Sequence, residues 1–317
     1  MVFFITFIRA VSALIITNSH YTGVYPTDLI ANGGLFGDVL FFAVSGYCLA
    51  NVKLSFPKWF LKRIIRIYPP VIIITGVYLL FGFYKCADVL SAVKLFIYPT
   101  YYHFVASIVL LYIPFYIVMK IKILAERLPL VMLAVFCIQL VIYLFAYDKS
   151  YYHIDNVYEY MIRFLFFNAM LIGAYVKQND CKFRNKSKVI NLIFAVVLLF
   201  VYFASKMLFA KYSVIAPLQI LNQLVLLGLL YFVFISLAGV DEKLNNMPGP
   251  LKKVTEFIAA HTLEIYLVQY AIIPRVNVLG FPVNWFIITA CIALAAVALH
   301  FVSQKAIKLI EKCIKVY

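Results

Sequence analysis

Charge is scarce in this chain. Asp, Glu, Lys and Arg make up 13% of its 317 residues, against about a quarter in a soluble domain. Acids are scarcer still: 13 Asp and Glu face 28 Lys and Arg, and the net charge is +15. Long polar stretches are also missing, so no segment between apolar runs is large enough to fold by itself as a soluble domain. With 65% of its residues hydrophobic, a soluble globule of this length is excluded, and the bilayer must be the solvent. The six cysteines stand at 48, 86, 137, 181, 291 and 313 with no CxxC pair. Neither a disulfide framework nor a metal site is implied. A cleavable signal peptide is not expected: no cation precedes the first apolar run, and no small-residue cleavage site follows it.

What the chain has in abundance is apolar runs of spanning length, about 20 residues each. About ten can be read, at 2–18, 35–52, 68–84, 103–120, 129–147, 161–176, 189–209, 214–239, 255–274 and 283–303. The expected fold is therefore an all-α polytopic membrane protein, with residues 1–317 forming a single domain in contact with membrane lipid. The cations set its orientation. With the N-terminus inside, the cytoplasmic loops hold most of the Lys and Arg. Lys85, Lys94, Lys149, Lys206, Lys211 and Arg275 lie outside, and Arg9 and Arg163 lie within spans. That bias predicts two cytoplasmic termini, and it explains the positive charge without nucleic acid as a partner.

A charge within a span is costly and points to function. Arg9 and His20 are eleven residues apart, so they share a helix face within about 20°, separated by roughly 16 Å along the axis. One helix then carries an anion-binding group at one depth and a titratable imidazole at the mouth. A snorkelling Arg and an interfacial His are the structural alternative.

Four further segments stand in order along the chain. They are "GDVLFFAVSGYCLA" at 37–50, "FPKWFLKRIIRIYPP" at 56–70, "HFVASIVLLYIPFYI" at 103–117 and "HTLEIYLVQYAIIP" at 261–274. The second reads as a basic amphipathic hinge ended by Pro69-Pro70, with the next helix starting at Pro69. Together with Arg9-x10-His20, the set resembles the acyltransferase-3 family of integral membrane O-acyltransferases. "LFFAVSGY" resembles that family's Phe-Phe-x-x-Ser-Gly helix, "LKRIIRIYPP" its basic loop ending in Tyr-Pro, and "IYLVQ" its Tyr-Leu-x-His element. Two positions depart from the pattern. Asp38 stands one place earlier than the family's acidic residue, and Gln269 replaces the late His.

The resemblance implies transfer of an acyl group, most often acetyl from acetyl-CoA, to a hydroxyl of a surface polysaccharide or lipid-linked saccharide in a bacterial inner membrane. Acetyl-CoA would be a substrate, and no tightly bound cofactor or metal is expected. His20 suits the general base, or a transient acyl carrier. Arg9 suits the donor's polar arm or a bound thioester. Lys62, Arg63 and Arg66 suit the donor's phosphates, against an ordinary positive-inside loop touching anionic lipid.

Ser45 reads as a helix-packing residue in preference to a nucleophile. Tyr47, Tyr266 and Gln269 are candidates for lining an acyl tunnel. Arg163 can bind an anionic acceptor or simply snorkel. His103 begins a motif-like stretch on the side of His20, whereas His153, His261 and His300 read as interfacial. The outer loop 147–160 interleaves aromatics with Asp148, Asp155 and Glu159, a composition that suits sugar rings and also an interfacial belt. The rival function is a transporter or flippase for a lipid-linked saccharide. Against it stand the missing inverted repeats and the missing chain of intramembrane carboxylates.

Overall fold

Backbone N–H and C=O groups in lipid find no water, so the apolar runs must bond internally as helices. The computed structural model describes residues 2–98, 100–184 and 188–314, and these contain helices and no strand. In chain order the helices are α1 (Phe3–Ser19), α2 (Gly34–Leu49), α3 (Phe56–Leu80), α4 (Val89–Phe96), α5 (His103–Lys120), α6 (Lys122–Glu126), α7 (Leu128–Ala146) and α8 (Met161–Gln178). They continue as α9 (Asp180–Arg184), α10 (Lys188–Lys211), α11 (Ile220–Gly239), α12 (Asp241–Asn245), α13 (Gly249–Ala260), α14 (Thr262–Val276) and α15 (Val283–Ile314), with a 3-10 turn at Ser213–Leu218.

Each expected run contains a helix, that at 214–239 beginning as a 3-10 turn. Among the described residues, six helices are long and apolar enough to cross a membrane, or seven if α13 and α14 count as one bent span. α1 and α2 are shorter apolar helices. The protein is an all-α polytopic membrane protein. Leu133 and Ile138 of α7, like Val197 and Phe200 of α10, remain exposed. Such apolar faces are stable against lipid and would be a liability in water.

Two expectations are corrected. The segment at 56–70 is not a hinge ended by prolines; α3 runs unbroken through Pro69 and Pro70. Each proline removes an N–H, which leaves the carbonyls of Ile65 and Arg66 without their usual helical donors. Both rings are buried, and packing in a membrane bundle tolerates such a defect. Lys62, Arg63 and Arg66 therefore ride on the same rigid helix as the span. The run at 255–274 is not one straight helix either. It breaks at His261, where α13 and α14 meet at 74°.

The chain divides into two compact units. Unit 1 comprises Met1–Ile8, Asp38–Val52 and Ile113–Lys252. Here α2 lies against α8 at backbone contact: a Cβ on Gly46 would collide with the carbonyl of Met170, and one on Gly173 with that of Ala43. Phe42 and Phe166 stack at 4.1 Å beside this contact. The Ser45-Gly46 pair thus allows close helix approach, as small residues do in bilayers. Gln139 of α7 donates to Gln223 of α11 at 2.6 Å, a buried polar tie between spans.

Unit 2 comprises Arg9–Gly37, Lys53–Tyr112 and Lys253–Tyr317. In it, α14 and α15 pack together and α3 packs on both. The Tyr78 hydroxyl donates to the carbonyl of Leu267 at 3.0 Å, fixing the register of α3 on α14.

Candidate active site

Unit 2 gathers most of the residues singled out above. Arg9 projects from α1, and its Nη2 donates to Thr262 Oγ1 at 3.4 Å, at the first residue of α14. The guanidinium therefore meets the chain at the 74° break. His20 follows the last residue of α1, and its N–H donates to the Thr17 carbonyl at 3.1 Å. His20 is exposed to solvent, yet enough protein surrounds its ring for desolvation to lower the imidazole pKa below the ordinary 6.5. Burial disfavours the charged form, so His20 rests as a neutral base at pH 7.

His103, the first residue of α5, lies near enough to His20 for the two imidazoles to interact electrostatically. Its ring meets Tyr266 edge-on at 6.4 Å. Tyr266 also packs on Tyr102 at 5.9 Å and Phe104 at 5.6 Å. One turn further on, Gln269 is 1% exposed, and its Oε1 is buried with no hydrogen-bond partner among the described residues. On α3, Lys62 and Arg63 are half-buried and Arg66 is exposed. Arg63 covers the Trp59 ring at 5.3 Å, a stacked placement that steadies the guanidinium.

Unit 1 holds the others. Tyr47 is buried, packs edge-on against Phe4 at 5.5 Å, and has Lys177 Nζ over its ring at 4.9 Å. Ser45 is half-buried beside the Gly46 contact, and Arg163 is half-buried in the first turn of α8. In the outer loop, His153 is sandwiched between Tyr147 at 4.7 Å and Tyr151 at 4.2 Å. It is held within that loop.

A pairing not anticipated from the sequence stands next to Arg9's partner. Glu264, in the first turn of α14, takes a hydrogen bond from His300 Nδ1 of α15 at 2.8 Å, and its side chain is 7% exposed. The His261 ring lies 4.6 Å from that of His300. His261 and His300 therefore belong to one polar cluster with Glu264. The available signal was a carboxyl within an apolar run, which must find a partner when buried. Its partner is 36 residues away, beyond the reach of local pattern.

This arrangement supplies a neutral imidazole at one end of α1, a guanidinium eleven residues earlier, and a basic α3 packed on α14. Such a set can deprotonate a hydroxyl and hold an anionic or oxyanionic partner. A family model described as an acyltransferase domain matches residues 2–303. No curated protein and no solved structure matches the chain.

Proposed function

The chain belongs to the acyltransferase-3 family and is a membrane acyltransferase, and on that premise we propose that it moves an acetyl group from acetyl-CoA to a hydroxyl of a surface polysaccharide or lipid-linked saccharide. The match over residues 2–303 carries the reaction class. The donor and acceptor rest on the chemistry of the side chains. Acetyl-CoA brings several phosphates, and Lys62, Arg63 and Arg66 on α3 are the cations suited to them. The loop charges support a cytoplasmic position for these three and an outer position for His20, in a bacterial inner membrane with both termini inside.

The step needs one proton moved. His20 takes it from the acceptor hydroxyl, the alkoxide attacks the thioester carbonyl, and the C–S bond breaks. The thiolate then leaves and takes up the proton. The oxyanion formed on the way needs a hydrogen-bond donor or a positive charge beside it; Arg9, roughly 16 Å along the helix from His20, suits the donor's polar arm or a bound thioester. The aromatic ring of Tyr266 and the buried amide of Gln269 suit the path of the pantetheine arm. A lipid-linked saccharide transporter, the rival reading, draws no support from the family match.

Mass spectrometry of the surface polysaccharide, with the gene present and deleted, tests the proposal. Ester-linked acetyl should disappear while polysaccharide export continues. Retained acetyl, or loss of the polysaccharide itself, would refute it.

A further inference from the structure

The base proposed above stands at a weak place in a helix. α1 ends at Ser19, and the last carbonyls of a helix have no partner in a following turn, so such ends fray. His20 comes next and is exposed. Its N–H donates to the Thr17 carbonyl at 3.1 Å, and the Tyr21 N–H donates to the Asn18 carbonyl at 3.1 Å. A general base carried on a loose end would wander. A misplacement of about 1 Å can cost roughly 10²-fold in rate, so the end must be held from outside.

The residues on both sides of His20 are tied to chain far away in sequence. Asn18 Nδ2 donates to the carbonyls of Ile30 at 2.8 Å and Asn32 at 3.2 Å. Its Oδ1 accepts from the Tyr25 hydroxyl at 2.8 Å. That hydroxyl accepts in turn from Trp285 Nε1, in the first turn of α15, at 3.0 Å. Tyr25 is therefore the middle member of a relay from α1 to α15. On the other side of His20, the Tyr21 hydroxyl lies 2.8 Å from Thr289 Oγ1, one turn further along α15. The stretch between is held as well. Asn284 Nδ2 donates to the Val24 carbonyl at 3.2 Å, and Asn277 Nδ2 to the Gly23 carbonyl at 3.0 Å. The chain also returns against this helix end, since a Cβ on Gly34, the first residue of α2, would collide with the Ser19 side chain. Side-chain bonds from α1, the following loop and α15 thus converge on the two residues, 18 and 21, that bracket the imidazole.

We propose that Asn18, Tyr25 and Trp285 are positioning residues for His20: their relay clamps the end of α1 to α15 and so holds the imidazole where it meets the acceptor hydroxyl. The proposal rests on the function given above, in which His20 is the base. It adds that the rate depends on three side chains that touch neither substrate. The cations suited to the donor ride on α3, so loosening the relay should slow the chemical step and leave acetyl-CoA binding alone.

Tyr25→Phe is the sharpest test, because it keeps the ring and deletes the one hydroxyl on which both bonds of the relay depend. Trp285→Phe removes only the outer bond and leaves Tyr25 on Asn18. Each change is made in the full-length chain, in the native background and in a His20→Gln background, and transfer of radiolabelled acetyl from acetyl-CoA is followed in membrane vesicles at matched protein level. Tyr25→Phe should lower kcat about 10-fold or more with KM for acetyl-CoA unchanged. Trp285→Phe should lose less. With His20 replaced by Gln, Tyr25→Phe should cost nothing further, because no base is left to misplace. Amide hydrogen exchange across residues 17–25 of the purified protein should be about 2- to 10-fold faster in Tyr25→Phe, as expected for losing a hydrogen bond that holds the segment.

A wild-type kcat in Tyr25→Phe overturns the proposal, and so does a raised KM with kcat intact. An equal fractional loss in both backgrounds overturns it too, since the relay would then serve the fold and not His20. Unchanged exchange across 17–25 does the same, and that measurement needs no turnover. The two levels of the argument fail differently. A His20→Gln variant with the wild-type rate sinks the base and the positioning together, whereas a crippled His20→Gln beside a fully active Tyr25→Phe sinks the positioning alone.

Discussion

If His20 is the base, the acid limb of the pH–rate profile belongs to it. Burial lowers its pKa from 6.5. At pH 7.5 the neutral fraction is then at least about 90%, from the one-unit gap to the ordinary value. Above neutrality the rate should be flat. It should fall about tenfold per pH unit once the pH passes below the lowered pKa, because the imidazolium cannot accept a proton. The sign follows from the cause: desolvation penalises the cation, so the limb shifts to lower pH, and a neighbouring carboxylate would have shifted it upward. His20→Gln keeps a polar side chain of similar length and should cut transfer about 10²–10⁴-fold, with the acid limb removed from whatever rate remains. The assay is transfer of radiolabelled acetyl from acetyl-CoA to surface glycan in membrane vesicles, at matched protein level. A wild-type limb centred above 6.5, or a His20→Gln variant with the wild-type rate and profile, would refute the assignment.

Three further outcomes are expected. Arg9→Ala should nearly abolish transfer, whereas Arg9→Lys should retain part of it if charge matters more than the guanidinium fork; full activity of the Ala variant in the same vesicle assay would return Arg9 to a structural role. Reversing Arg63 and Arg66 to Glu should weaken acetyl-CoA binding in a salt-sensitive manner, because exposed phosphate contacts are screened; a loss that calorimetry finds unchanged between low and high salt would contradict phosphate recognition. Gly173→Ala should lower the thermal stability of the purified protein by about 1–3 kcal/mol or more, since the new methyl would strike the Ala43 carbonyl; a wild-type melting temperature would mean that α2 and α8 do not approach as closely as described.

Much of the candidate site was legible because its signals are local. Arg9 and His20 share one helix, and their spacing alone fixes their common face. Tyr266 and Gln269 are likewise three residues apart on α14. What escaped was pairing over distance. Glu264 was visible in "HTLEIYLVQ", but nothing near it in sequence announces His300. The two prolines at 69 and 70 read as a stop, because intrinsic propensity opposes them in a helix interior. Packing of buried rings in α3 overrides that propensity.

The sequence by itself determined that the chain is helical and embedded in lipid. The reason is compositional: apolar runs of spanning length admit no other backbone that satisfies its own hydrogen bonds. It also determined which side chains are anomalous in such runs, since charge and imidazole stand out against them. Tertiary structure alone decided which of these meet. It carried α3 straight through Pro69 and Pro70, broke the late span at His261, and set Arg9 against Thr262. Those outcomes depend on how helices far apart in the chain pack, and helix packing depends on side-chain shape and small-residue contacts such as Gly46 on Met170. Periodicity within a single segment holds no record of them.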